Sequence, residues 1–221
     1  KGIISYRAGA QHLAYNSGID GPVSPLWRPT TDPYNTMAEM GDVAKTFTTV
    51  GPLLLSAELD QSVELDIECG KAYFPEYVGP AVDAGVLRDV NDPRVYLTPW
   101  NNDIDRERSA TISLPDELAA QGQVWDLMAL EQVDASGGEF DVTLPPGGGR
   151  VFMLGSEEEF AQCRDTVLRH RVRPPRVKAR NRLRIAKAQN VPTGKAESLM
   201  DKAKKAEDAG NWKQAASTYH Q

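Results

Sequence analysis

The side chains with the most to offer chemically are aromatic. Tyr73, Phe74 and Tyr77 crowd a stretch that ends in Gly79-Pro80, Trp27 lies in another Gly- and Pro-rich stretch, and Trp100 closes an apolar run. An aromatic face packs on the C–H face of a pyranose, and a loop can hold it toward solvent, so these five are candidates for carbohydrate contact. A structural use stands beside each of them. A tryptophan that pins a long loop to the body is the commoner reason for a residue like Trp27, and loop aromatics also fold back over the end of a β-sandwich.

The polar side chains are less promising. Asn101, Asn102, Asp103 and Asp105 offer the oxygens that calcium takes, but the glycine and final glutamate of a calcium loop are missing, which favours a turn. Glu64, Asp66 and Glu68 alternate with Val63, Leu65 and Ile67, so the three carboxylates point to solvent from one half-buried strand. Glycosidic catalysis needs two carboxyl groups facing each other about 5 to 10 Å apart. Cys69 and Cys163 lack the spacing of a zinc site or a disulfide framework, and His12, His170 and His220 have no partner at ligand spacing. Neither a metal nor a cofactor is expected, and no nucleophile with its base is visible.

Charge separates the chain into two kinds of surface. Residues 1–155 carry 10 basic and 23 acidic side chains, a net of −13, whereas 156–221 carry 15 basic and 8 acidic, a net of +7. An acidic body does not recommend nucleic acid as its partner, since reading phosphates needs cations facing them, and is compatible with a neutral sugar ligand or with none. Arg164 to Lys187 holds 10 cations against the single acid Asp165, yet no aromatic is interleaved to stack on bases, and a solvated helix with its cations against the acidic body explains it better. No apolar run approaches the roughly 20 residues of a membrane span. Nucleic acid and membrane are therefore not expected partners. A first residue Lys1 and a last residue Gln221 inside a helical pattern suggest a piece of a longer chain.

The elements that must position these residues follow from periodicity. Met37, Met40, Val43, Ala44, Phe47 and Val50 recur at helical spacing, so a helix is expected from Asp32-Pro33 to about Val50, ended by Gly51-Pro52. An all-β region follows. Strands are expected at Ser62 to Glu68, Val86 to Val90, Val95 to Trp100, Arg106 to Leu114 and Gln123 to Leu127, with Cys69 to Gly85 a loop. Phe140 to Gly155 reads as a hairpin: Phe140, Val142 and Leu144 alternate with polar residues, Pro145-Pro146 stop the ladder, Gly147 to Gly149 turn the chain, and Val151 to Leu154 form a second strand buried on both sides.

Ser156 with Glu159 forms a capping box that opens a helix, which Pro174-Pro175 should break after Arg173. From Pro192 a helical hairpin is expected: Ala196, Leu199, Met200, Ala203 and Ala206, a turn at Ala209-Gly210-Asn211, then Trp212, Ala215, Ala216 and Tyr219.

Three stretches carry a family resemblance. Tyr6 to Gly18, with its Ala8-Gly9-Ala10 core, resembles the end of a glycoside hydrolase barrel leading into the eighth strand. The block from Met37 to Glu58, which passes through Gly51-Pro52-Leu53-Leu54, resembles a closing helix of such barrels. Val124-Trp125-Asp126-Leu127, followed by the Phe140 to Phe152 segment, resembles their terminal β-sandwich. The resemblance implies that Asn16 and Ser17 sit where barrel strands deliver active-site residues, although Asn, Ser and Gly also form turns anywhere. It further implies an antiparallel sandwich of about seven strands, and puts any catalytic carboxylates before Lys1. Ala209 to Tyr219 resembles the middle of a tetratricopeptide repeat.

Together these imply an α+β chain: an end-of-barrel segment and linking helix over 1–52, an antiparallel β-sandwich over 53–155, and a basic helical tail over 156–221. The function expected is a non-catalytic accessory region packing on the catalytic barrel of its parent. The alternative is a carbohydrate-binding or interaction module using Asn16, Trp27, Tyr73, Phe74, Tyr77 and Trp100, and a third reading is assembly through the helical tail.

Overall fold

The structure, a computed structural model, describes residues 48–74, 77–103 and 105–221, with the backbone alone at 73, 74 and 77. The chain is α+β, with antiparallel sheets and a C-terminal helical region. It divides into two compact units, the boundary falling after Ala161.

The first described element of the first unit is helix α1 (48–54), whose Val50, Leu53 and Leu54 are buried. The helix continues through Gly51-Pro52, where a stop was expected. Proline costs a helix its N–H and crowds the carbonyl four residues back, but its fixed φ is itself helical.

Eleven strands follow among the described residues: β1 (Ala57–Leu59), β2 (Asp66–Cys69), β3 (Lys71–Phe74), β4 (Tyr77–Pro80), β5 (Val82–Asp89), β6 (Val95–Asn101), β7 (Arg108–Ser113), β8 (Gln123–Asp126), β9 (Glu131–Val133), β10 (Glu139–Leu144) and β11 (Phe152–Gly155). A short helix α2 (Asp116–Ala119) separates β7 from β8. The strands form a six-stranded sheet in the order β1-β5-β6-β11-β8-β9, a three-stranded sheet β10-β7-β2 and the hairpin β3-β4, all antiparallel. The stretch expected to be a loop, Cys69 to Gly85, is thus largely strand. Its Gly and Pro residues masked the alternation that marks one.

The two larger sheets share one core. Val86, Val95, Leu97, Val124, Phe152 and Leu154 from the large sheet meet Ala110, Ile112, Phe140, Val142 and Leu144 from the small one. Carboxylates of β2 lie outside, as the alternation requires: Asp66 and Glu68 are exposed, while Ile67 packs against the core. The large sheet is buried on its second face too. There Leu87, Tyr96, Met153 and Trp125 stand as successive cross-strand partners, the most exposed of them at 6%.

Phe140 to Gly155 is not a hairpin. β10 pairs with β7 in the small sheet, while β11 sits between β6 and β8 in the large one. The two strands face each other across the core, with Phe140 and Phe152 in edge-to-face contact at 5.2 Å. Pro145-Pro146 still end the first ladder, but the chain then climbs from one sheet to the other. Gly147 adopts a positive φ of 60°, and a Cβ at Gly148 would lie 2.6 Å from the Pro145 ring, so both positions require glycine.

Asn101 holds this crossing. Its side chain is fully buried; its amide N–H groups are shared among the carbonyls of Arg106, Leu144 and Pro145 at 2.7–3.2 Å, and its Oδ1 accepts from the Asp103 N–H at 2.8 Å. The Asn101 backbone N–H donates to Gly148 and that of Arg150 to Pro99. One side chain therefore ties the end of β6 to the end of β10.

Helix α3 (Glu157–Ala188) begins with the expected capping box. The Glu159 N–H donates to Ser156 Oγ, and the Ser156 N–H donates to Glu159 Oε2 at 2.7 Å. Phe160 stacks on Trp125 at 4.2 Å between ring centres, which fixes the first turn on the sandwich. The helix then runs through Pro174-Pro175, where a break was expected. Adjacent prolines remove donors only from the His170 and Arg171 carbonyls, and Val172 and Ala179, one on either side, are held in the core of the second unit. A left-handed Asn190 ends the helix, with the Val191 N–H returning to Ala186.

In the second unit, α4 (Gly194–Asp208) and α5 (Trp212–His220) form the expected hairpin, turned by Gly210 at φ 70°. Ala203, Ala206, Ala215 and Tyr219 pack with Val172 of α3. Arg176–Glu207 at 2.9 Å and Lys187–Glu197 at 2.5 Å link α3 to α4. Burial, and a hydrogen bond to Glu207, push the Tyr219 phenol up to about 12.

Replacing Asn101 tests the crossing. Asn101→Ala strands buried carbonyls and one N–H, and an expected loss of about 3 kcal/mol should appear as a lower urea midpoint with an unchanged slope. Asn101→Asp, which keeps the shape but turns oxygen toward carbonyls, should lose at least as much.

Candidate functional site

Of the expected carbohydrate contacts, Trp100 is the one whose side chain lies among the described residues. Asn16 and Trp27 lie outside those residues. Tyr73, Phe74 and Tyr77 fall on the β3-β4 hairpin, where the backbone pairs Phe74 with Tyr77 and Tyr73 with Val78, and the Val78 side chain is 72% exposed. Trp100 is a core residue, 2% exposed, and so presents no ring face to a ligand.

What Trp100 does instead is position that hairpin. Its Nε1 donates to Asn102 Oδ1 at 2.8 Å, Asn102 Nδ2 donates to the Pro80 carbonyl at 3.1 Å, and the Asn102 N–H donates to Ala81 at 2.7 Å. Ala81 also donates to Gly70, so the base of the β3-β4 hairpin is closed on itself while its β4 end is fastened to the residue that follows β6. The sequence marked Trp100 as aromatic at the end of an apolar run, and the same apolar run is the signal of its burial.

The polar cluster after Trp100 is a turn. Asp103 accepts from the N–H groups of Asp105 and Arg106 and from Nε and Nη2 of Arg108 at 3.0 and 2.6 Å. The Asp105 N–H and the Arg108 guanidinium hold its carboxyl below the usual range. All of these donors come from the protein, which leaves the carboxylate engaged in the loop's own geometry. Among the described residues, no group of three or more His, Cys, Asp or Glu side chains could hold a metal ion. Cys69 and Cys163 are free thiols.

Asp126, in the Val-Trp-Asp-Leu motif, is the second buried carboxylate. It is 2% exposed, receives the Met128 and Ala129 N–H groups at 2.7 and 2.8 Å, and pairs through its other oxygen with Arg150. The arginine that follows the Gly run is therefore the partner of the aspartate 24 residues earlier. Sequence spacing alone offered no sign of that pairing.

Asp60 is the carboxylate most strongly perturbed in the sandwich. Arg88 Nε at 2.5 Å, then the Ser62 hydroxyl and N–H, hold it down to about 2 from 3.8. It faces no second carboxylate in these contacts, and its oxygens serve to join the end of β1 to β5.

No family model matches this chain, and no curated protein matches it. Among solved structures, an alpha-amylase from Malbranchea cinnamomea is similar at 20% identity, over 51% of this chain and 20% of that one, with a TM-score of 0.25. The chain thus spans about a fifth of that enzyme's length. A TM-score this low marks a distant neighbour and carries no argument about function.

The Asp60 contact has a sign that can be tested. Its folded pKa is depressed, so its contribution is present above about pH 4 and is lost as pH falls toward about 2. Acid unfolding followed by tryptophan fluorescence should show Asp60→Asn less stable than the parent protein at neutral pH, with the difference shrinking across that window.

Proposed function

We propose that this chain is a non-catalytic accessory β-sandwich region of a glycoside hydrolase-like protein, supporting a catalytic barrel in the same parent. The observation that carries the non-catalytic part is the use of its buried carboxylates. Asp103 and Asp126 are the buried acids among the described residues, and donors from their own loops and from Arg108 and Arg150 occupy both. A general acid or nucleophile needs an oxygen facing the ligand and a second carboxyl across it. The supporting part draws on the doubly buried large sheet and on the sequence resemblance from Tyr6 onward. Leu55 and Val90, 63% and 60% exposed, lie beside the Val90–Ser56 backbone bond where α1 enters the sandwich, a place for a preceding domain to cover.

A second reading, carbohydrate binding, is favoured by one observation: Trp100 and Asn102 fasten the hairpin that carries Tyr73, Phe74 and Tyr77. Rigid presentation lowers the entropy cost of binding.

Chromogenic aryl glycosides separate these readings from catalysis. The purified monomer should release no chromophore above a heat-denatured control; turnover that tracks the monomer peak would contradict the proposal. A glycan array then divides the two: no hits support the accessory role alone, whereas hits abolished by Tyr73→Ala with Tyr77→Ala, at unchanged thermal stability, establish the binding module.

A further inference from the structure

Of the cations that α3 carries between Arg164 and Lys187, three are matched within the second unit: Arg169 by Asp165, Arg176 by Glu207 and Lys187 by Glu197. Arg173, Lys178, Arg180, Arg182 and Arg184 are exposed, and none of them forms an ion pair among the described residues. The helix has no acid of its own from 166 to 188, and the exposed Asp201 and Asp208 of α4 pair with none of the five. Val172 and Ala179 pack into the core of the second unit, so the opposite side of α3 is turned to solvent. At about 3.6 residues per turn, Arg173, Arg180 and Arg184 form one line along that side, and Lys178 with Arg182 a second. Between the two lines run Val177, Asn181 and Ile185, spaced four apart, with the aliphatic side chains 47% and 53% exposed.

We propose that this side of α3 lies on an anionic lipid surface, with Val177 and Ile185 entering the headgroup layer and the two lines of cations meeting lipid phosphates and carboxylates on either flank. The pairing of exposed aliphatics with flanking cations selects this occupant. A nucleic acid would use the cations alone, leaving the aliphatic strip against its phosphates, and that side of α3 has no aromatic residue on which a base could stack. A lipid interface uses both kinds of side chain: the aliphatics leave water, while Lys and Arg lay their methylene stems along the apolar strip and turn their charged ends to the headgroups. Each cation near such a surface adds an attraction that salt screens. No helix among the described residues is long and apolar enough to cross a membrane, and a helix lying in the plane of the interface does not need to be.

The test uses the full chain in co-sedimentation with phosphatidylcholine vesicles, made with and without phosphatidylserine. The chain should sediment with the phosphatidylserine vesicles and not with the neutral ones, and added salt should release it. Arg180→Gln with Arg184→Gln should weaken this binding about thirtyfold. Val177→Ser with Ile185→Ser, which leaves every cation in place, should also weaken it. All four positions are exposed, so far-UV circular dichroism and the thermal midpoint should not move in either variant. The proposal is overturned if the chain ignores both vesicles, if it binds both alike, or if the arginine variant binds as the parent does. An unchanged affinity in the Val177→Ser, Ile185→Ser variant would overturn it too, by reducing the face to charge alone. So would a fluorescein-labelled single-stranded oligonucleotide that binds the full chain and displaces it from the vesicles with equal effect on that variant, which would assign the cations to nucleic acid.

Discussion

A sandwich must carry its chain from one sheet to the other without leaving buried backbone groups unpaired, and here a single amide does much of that work. Asn101 stands at the end of β6 with no exposure, and its side chain reaches the loop after β6 and the last residues of β10. Proline at 145 and 146 has no N–H to offer, so the chain leaving β10 brings carbonyls without donors of its own. An asparagine amide is suited to that place because it supplies two hydrogens to carbonyls and still accepts one bond, from the Asp103 N–H. Apolar packing alone would bring the sheets together without deciding where the crossing runs.

Around this amide the other polar motifs fall into place. The Gly147 N–H donates to Asp103, the Asn101 N–H donates to Gly148, and Arg150 reaches back to Asp126. Trp100 and Asn102, the neighbours of Asn101, carry the connection outward to the β3-β4 hairpin. The side chains of Asn101, Asn102, Asp103 and Asp126 are thereby committed to holding the fold. Breaking a buried ion pair by removing one member typically costs about 3 to 5 kcal/mol, less where a partner is partly exposed as Arg150 is. A site of that kind is maintained for structure whether or not a ligand is present.

Local signals in the sequence were legible, and non-local pairings were not. The alternation of Phe140 to Leu144 gave a strand with the correct inner face, and Ser156 with Glu159 gave the capping box, because each depends on residues within a few positions. The turn at Gly210 and the spacing of Ala203, Ala206, Ala215 and Tyr219 were sufficient for the helical hairpin for the same reason. By contrast, β10 and β11 looked like partners because they are adjacent in sequence, yet β7, β6 and β8 outcompete that pairing from a distance. Pro174-Pro175 looked like a break because propensity ignores the core contacts of Val172 and Ala179 on either side. The candidate aromatic residues were legible only by type. Whether an indole faces solvent or core is decided by tertiary packing, and Trp100 went to the core.

The tie through Asn101 should make the two sheets one cooperative unit. Native-state hydrogen exchange, read at the amides of β7 and β10 in the small sheet and of β5, β6 and β11 in the large one, tests it most directly. A single opening free energy shared by both sets, separating into two values in Asn101→Ala, is the expected result. Different opening free energies for the two sheets in the unmodified protein would contradict the lock, as would a common value that survives the substitution unchanged.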